Sequence, residues 1–134
     1  GAPSGAGRFR QESVEECGFD DGSFDVVICN AVLHFADDAA HFQRMVERMH
    51  RLLRSGGLFF GRLATSIGIE DSLKPCPGRP QGWMVLPDTS SRFVVDLETL
   101  TRTTERLGAE LVDPIKTVNV HGLRCMTSWV WRRG

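Results

Sequence analysis

Apolar residues along this chain fall into two kinds of pattern. Residues 24–29, Phe-Asp-Val-Val-Ile-Cys, form a nearly continuous β-branched and apolar run with a single early Asp. Such a run predicts a strand buried on both faces. From Ala39 the apolar positions are Phe42, Met45, Val46, Met49, Leu52 and Leu53, a spacing that places them along one face of a helix. Gln43, Arg44, Glu47, Arg48 and Arg51 fall on the other face. Asp37 or Asp38 is placed to cap this helix, Arg54 to complement its C-terminal dipole, and Gly56-Gly57 to end it. Leu58-Phe59-Phe60 then opens a second buried strand that runs to about residue 64.

Strand, helix and strand in this order predict a parallel pair joined by a crossover, the unit of an α/β sheet. In such sheets a ligand belongs at the carboxyl ends of the strands, here residues 30–37 and from Thr65 onward. Residues 66–91 are poorly periodic and contain Pro75, Pro77, Gly78, Pro80, Gly82 and Pro87. That is too long for an ordinary connection, so a long loop or lid is expected. Asp96 is placed to cap a helix over residues 97–107, with Leu97, Leu100 and Leu107 as its apolar positions, helped by the methyls of Thr103 and Thr104. Residues 110–120 and 125–131 read as an antiparallel hairpin turning at His121-Gly122-Leu123-Arg124. Trp129 and Trp131 share one face of its second strand and are expected to pack against the core. Residues 1–7 read as a flexible lead-in, which leaves 8–134 as a single domain.

Composition narrows the class. The chain has 134 residues, 41% hydrophobic and 25% charged, with a formal charge of −1, which fits one globular domain. The basic excess of a nucleic-acid binder is absent. No run approaches the ~20 apolar residues of a membrane span, and the start lacks the apolar core of a signal peptide. Cys17, Cys29, Cys76 and Cys125 form no CxxC pair, and Cys29 and Cys125, beside apolar runs, read as buried reduced thiols. His34, His41, His50 and His121 have no compact spacing with the cysteines, so no metal site is expected. These features predict a cytoplasmic protein that engages neither nucleic acid nor membrane.

Two stretches then carry a resemblance. Asp21-Gly22-Ser23-Phe24-Asp25-Val26-Val27-Ile28-Cys29-Asn30-Ala31-Val32-Leu33-His34, followed by a helix and by Leu53-Arg54-Ser55-Gly56-Gly57-Leu58-Phe59-Phe60, resembles the central part of class I S-adenosylmethionine-dependent methyltransferases. Ser55 stands where that family usually has Pro. Residues 61–68 and 123–129 are similar in more detail to the small bacterial methyltransferases of types 11 and 12. The resemblance implies an α/β, Rossmann-like methyltransferase sheet of order 3-2-1-4-5-7-6, with parallel central strands and an antiparallel C-terminal hairpin. It implies S-adenosylmethionine as methyl donor, S-adenosylhomocysteine as product and a small-molecule acceptor.

The family's glycine-rich GxGxG motif is not found in this sequence. The chain is therefore expected to be a C-terminal portion with a partial sheet, its cofactor-binding N-terminal half missing. In that case the strand over residues 24–29, which the resemblance makes the family's fourth, has an open edge, an aggregation template unless covered, and a homo-oligomer or a complementing chain is expected to cover it. The expected function is S-adenosylmethionine-dependent methyl transfer to an unidentified small molecule, incomplete in this chain. The alternative is a non-catalytic methyltransferase-like fragment acting as an interaction or structural module through the exposed edge.

Within the resemblance, Glu12, Ser13 and Val14 fall where the adenine ring rests. Asn30, Ala31 and Val32 fall at the methyl-transfer edge of the cofactor pocket. His34 is a base toward an acceptor hydroxyl or amine, a group facing the cofactor, or a residue that hydrogen-bonds across its loop; a pKa near 6.5 suits it to proton transfer. Arg62, charged inside an apolar strand, leans out of the strand's end or binds an acid such as a substrate carboxylate. Trp83 and Arg92, with Met84 and Phe93, either wall an acceptor site or pack the loop onto its own body. Methyl transfer needs alignment of donor and acceptor more than a catalytic triad, so the lack of one does not count against this reading.

Overall fold

The computed structural model describes residues 18–134. The readings of residues 1–7, Glu12, Ser13, Val14 and Cys17 lie outside the described residues. The apolar run forms β1 (Phe24–Asn30) and the apolar stripe forms α1 (Ala39–Leu52). Asp38 caps α1, its Oδ1 accepting from the His41 backbone N–H at 2.8 Å. All six positions of the stripe, Phe42 to Leu53, are buried.

The helix does not reach the glycine pair. Leu53 is already extended and β2 (Leu53–Thr65) follows without a loop. The residues between become a bulge, across which pairing jumps from Phe24–Leu53 to Val26–Leu58. Gly56 sits in it at φ +80°, a backbone conformation that costs glycine little. Arg133, from the far end of the sequence, donates through Nη1 to His50 O (2.9 Å) in the last turn of α1 and to Leu53 O (2.7 Å) just beyond it, and so satisfies carbonyls at the helix end.

β1 and β2 pair in parallel. The last strand, β8 (Arg124–Arg132), is antiparallel to β2. On its other side it pairs with β6 (Glu110–Leu111) and β7 (Lys116–Val120). The resulting order is β1-β2-β8-β6, with β7 also beside β8. This is the mixed sheet expected for family strands four, five, seven and six, with the final strand inserted antiparallel. The expected strand over residues 110–120 is in two pieces, because Pro114 between them has no N–H for the ladder.

Side chains of the parallel pair alternate between two faces. One face carries Phe59, Leu63, Trp129 and Trp131, all at most 1% exposed, and both helices pack on it. Phe42 of α1 lies over Trp129 with ring centroids 6.5 Å apart. In α2 (Leu97–Arg106), Thr104 Oγ1 accepts from Trp129 Nε1 at 2.9 Å and donates to Leu100 O at 2.8 Å. Asp96 caps α2 through Thr99 N at 2.8 Å. Leu97, expected on the apolar face, is 50% exposed, and Leu100, Thr103 and Thr104 carry the burial instead.

On the opposite face Val26 is 47% and Ile28 71% exposed. This corrects the expectation that β1 is buried on both faces. Among the described residues β1 pairs only with β2, and both helices lie on one side.

Residues 66–91 are also more ordered than the expected long loop. They contain β3 (Lys74–Pro75) and β4 (Trp83–Val85), which with β5 (Ser91–Phe93) form a small antiparallel sheet. That sheet closes over the end of β2, packing Leu86 and Val94 against Ala64 and Met126. Ser66 N donates to Val95 O at 3.0 Å and ties the two together.

Candidate functional site

A cleft of about 220 Å³ opens near the carboxyl ends of β1 and β2, lined by Ala31, His34, Arg62, Arg92, Arg124 and Met126. Its four basic side chains come from four separate elements. His34 lies in the single helical turn Leu33–Phe35 that follows β1. Arg62 is in β2, and strand alternation sends it with Ala64 to the side away from Phe59 and Leu63. Arg92 is the middle residue of β5, and Arg124 is the first residue of β8. At the end of β1 the backbone turns sharply, with Ala31 at φ 61° and its N–H donating to Arg62 O at 2.8 Å.

His34 is 2% exposed. Its Nδ1 accepts the Ala64 backbone N–H at 3.0 Å, and its Nε2 lies 3.0 Å from Arg92 Nη1. Burial first, and then Arg92, Arg62 and Arg124, lower its pKa from 6.5 to about 4. The ring is therefore neutral near pH 7 and holds one proton. With Nδ1 accepting, that proton sits on Nε2, so two donors, Nε2–H and Arg92 Nη1, face each other. Arg92 Nε is buried without an acceptor, while its guanidinium lies 5.5 Å from the Phe35 ring centroid.

One carboxylate stands at the margin. Asp88 is 3.7 Å from Arg124 Nη1, and its Oδ1 is already occupied by Ser90 N (2.9 Å) and Ser90 Oγ (2.5 Å). Those hydrogen bonds hold its pKa below the ordinary carboxylate value. Among the described residues no carboxylate makes an ion pair with Arg62 or Arg92. The cleft is thus rich in donors and positively charged.

Arg62, Arg92 and His34 are brought together here. Asn30 and Val32 are exposed at the adjoining end of β1, with Ala31 in the cleft wall. Trp83 stands apart: it is 8% exposed within the main core, and its Nε1 donates to Ala36 O (3.1 Å) and Asp37 O (3.0 Å). Sequence reasoning missed Arg124. The available signal was a charged residue in the turn that leads into the last strand. A larger cleft, about 450 Å³, lies beyond the small sheet against Phe42, Leu73, Met84 and Phe93, and its one ionic side chain, Asp96, is engaged in capping α2.

Comparison with known proteins places this geometry on a familiar fold. A family model described as a methyltransferase domain matches residues 2–61. No curated protein sequence matches the chain. A SAM-dependent methyltransferase from Methanosarcina mazei superposes with a TM-score of 0.65 at 14% identity, over 91% of this chain and 65% of its own. The 1,6-didemethyltoxoflavin-N1-methyltransferase of Burkholderia thailandensis, bound to 1,6-didemethyltoxoflavin and S-adenosylhomocysteine, gives 0.63 at 19% identity, over 90% of this chain and 48% of its own. The geranyl diphosphate C-methyltransferase of Streptomyces coelicolor, in complex with Mg2+, geranyl diphosphate and S-adenosyl-L-homocysteine, gives 0.63 at 10% identity, over 93% and 52%. The chain thus spans between 48% and 65% of the length of these structures.

At these identities the likeness establishes the fold alone, a mixed, Rossmann-like sheet of the kind these methyltransferases have. It also corrects two expectations. The reading of a C-terminal portion with a partial sheet is overturned, because the structural matches run over 90–93% of this chain. The reading of a missing cofactor-binding N-terminal half is overturned too, because the family match begins at residue 2 and takes in the N-terminal region. The absent GxGxG pattern was a poor guide: a short motif reports one loop, whereas these matches report the course of the chain.

Proposed function

We propose that this chain takes part in S-adenosylmethionine-dependent methyl transfer to a small molecule, with the basic cleft on the acceptor side. The observation that carries the reading is the coincidence of the cleft with the carboxyl ends of β1 and β2 on a methyltransferase fold, where open α/β sheets bind ligands. The turn at Ala31 fits a cofactor edge, since it presents the exposed Asn30 and Val32 side by side with the cleft. These three residues would lie along the donor; Glu12, Ser13 and Val14 belong to the same proposal through the family resemblance. When bound, S-adenosylmethionine supplies a methyl group that leaves the sulfonium for an acceptor lone pair, the S–C electrons returning to sulfur.

The chain's own residues then bind and orient the acceptor. His34, neutral and held by Ala64 N–H, points a single N–H donor toward the cleft. Its low pKa suits it to hold an acceptor atom in place more than to remove a proton near pH 7. Arg62 and Arg92 flank it as fixed donors. Calorimetric titration of S-adenosylhomocysteine into the folded chain tests the reading. Saturable binding near one site per chain is the expected result, and no heat from a chain that unfolds cooperatively would remove it.

A second reading draws on the exposed Val26 and Ile28 of β1: a second copy of the chain packs on that face of the sheet. Sizing in solution discriminates, since a monomer at micromolar concentration removes it.

A further inference from the structure

We infer that the cleft bounded by His34, Arg62, Arg92 and Arg124 binds an anionic group, a carboxylate or a phosphate, carried by the methyl acceptor. This rests on the methyl-transfer reading above and adds the class of substrate to it. Three guanidinium groups and one imidazole N–H converge on about 220 Å³, and the one nearby carboxylate, Asp88, has its nearer oxygens committed to Ser90 and Arg124.

Two details point to a missing acceptor atom. Arg92 Nε is buried with nothing to donate to among the described residues, and burying a donor unpaired is unfavourable. His34 Nε2–H and Arg92 Nη1 meet donor to donor at 3.0 Å. An oxyanion between them accepts from both, and its charge offsets the repulsion among Arg62, Arg92 and Arg124. Planar guanidinium groups suit the paired oxygens of carboxylate and phosphate. Met126 and Ala31 supply the apolar part of the wall, where the uncharged body of the acceptor would rest. The hydrogen bond from Ala64 N–H fixes the His34 ring, so the donors are in place before the anion arrives.

The test is a titration of the 134-residue chain with sodium phosphate, and separately with sodium benzoate, against sodium chloride at equal ionic strength. It is followed in 1H–15N spectra that include Arg Nε–H and His ring signals. Saturable shifts at Arg62, Arg92, Arg124 and His34 are expected with at least one of the two anions, and which anion is preferred assigns the group. Arg62→Gln and Arg124→Gln should each weaken binding by about tenfold. Arg102→Gln, on the exposed side of α2 and paired with Glu98, should not. Shifts no larger than those with chloride, or equal affinity in both cleft variants, overturn the inference. Titration with S-adenosylhomocysteine in the same samples separates the two claims. Anion binding without it keeps the anion site and removes methyl transfer; the reverse removes the anion site alone.

Discussion

Mild acid should destabilise this protein in a way that traces to His34. The ring is 2% exposed and sits among Arg62 of β2, Arg92 of β5 and Arg124 of β8, with the Ala64 N–H on its other nitrogen. Burial and these three cations hold its folded pKa at about 4 against 6.5 in an unfolded chain. Between those values the unfolded chain takes up a proton that the folded one refuses. Acid therefore favours unfolding: the contribution of His34 to stability is complete above pH 6.5, shrinks as the pH falls toward 4, and is gone below it. Linkage with those two values gives a loss of about 2 kcal/mol between pH 7.5 and 5.

His50, whose pKa is also lowered by burial and by Arg133, adds a loss of the same sign. Asp88 and Asp96, both lowered, lose their contributions only at more acidic pH. The clean comparison is therefore with His34→Asn, whose Oδ1 keeps an acceptor for Ala64 N–H. Urea unfolding followed by tryptophan fluorescence at pH 7.5, 6.5, 5.5 and 5 gives the stability of each. The wild-type chain should lose about 2 kcal/mol more than the variant over that range. Parallel pH dependences would show that His34 is not held neutral among these cations, and the argument would fail.

Other substitutions test other links. Asp38→Ala removes the cap of α1 and should cost about 1 kcal/mol in urea unfolding. Trp129→Phe should be more destabilising than Trp131→Phe by about 1 kcal/mol, because Trp129 Nε1 donates to Thr104 Oγ1 whereas Trp131 Nε1 is buried without an acceptor; thermal unfolding of the pair checks the order. Gly57→Ala places a Cβ 2.9 Å from Arg54 O and 3.2 Å from Asp25 O. Backbone on both sides leaves no easy relief, so a loss of about 1–3 kcal/mol is expected in the same assay.

Local pattern carried much of the fold. The stripe of α1 is buried at every position read from the sequence, and Asp38 and Asp96 cap their helices as their places suggest. The parallel pair and the antiparallel last hairpin were legible because each strand is long enough to show its period. The small sheet was not, since strands of two or three residues show no alternation. Val26 and Ile28 were misread because a β-branched run looks the same whether neighbours cover one face or two. The glycine pair was misplaced because a bulge and a helix end both favour glycine.

The site was half legible. His34 and Arg62 stood out as polar groups beside apolar strands, at the ends where the topology places ligands. Their meeting with Arg92 and Arg124 was hidden. His34 and Arg92 are 58 residues apart in sequence, and only the folding of β5 over the end of β2 brings them together. For Trp83 the sequence left open a wall of an acceptor site or packing of the loop onto its own body; its indole closes the core against the start of α1.

The most direct test of the account is backbone NMR of the 15N-labelled chain titrated with S-adenosylhomocysteine. The account predicts saturable shifts gathered at residues 30–34 and 62–66, where β1 and β2 end. No saturable shifts, or shifts gathered at the opposite end of the sheet around residues 55–57 and 133, would contradict it.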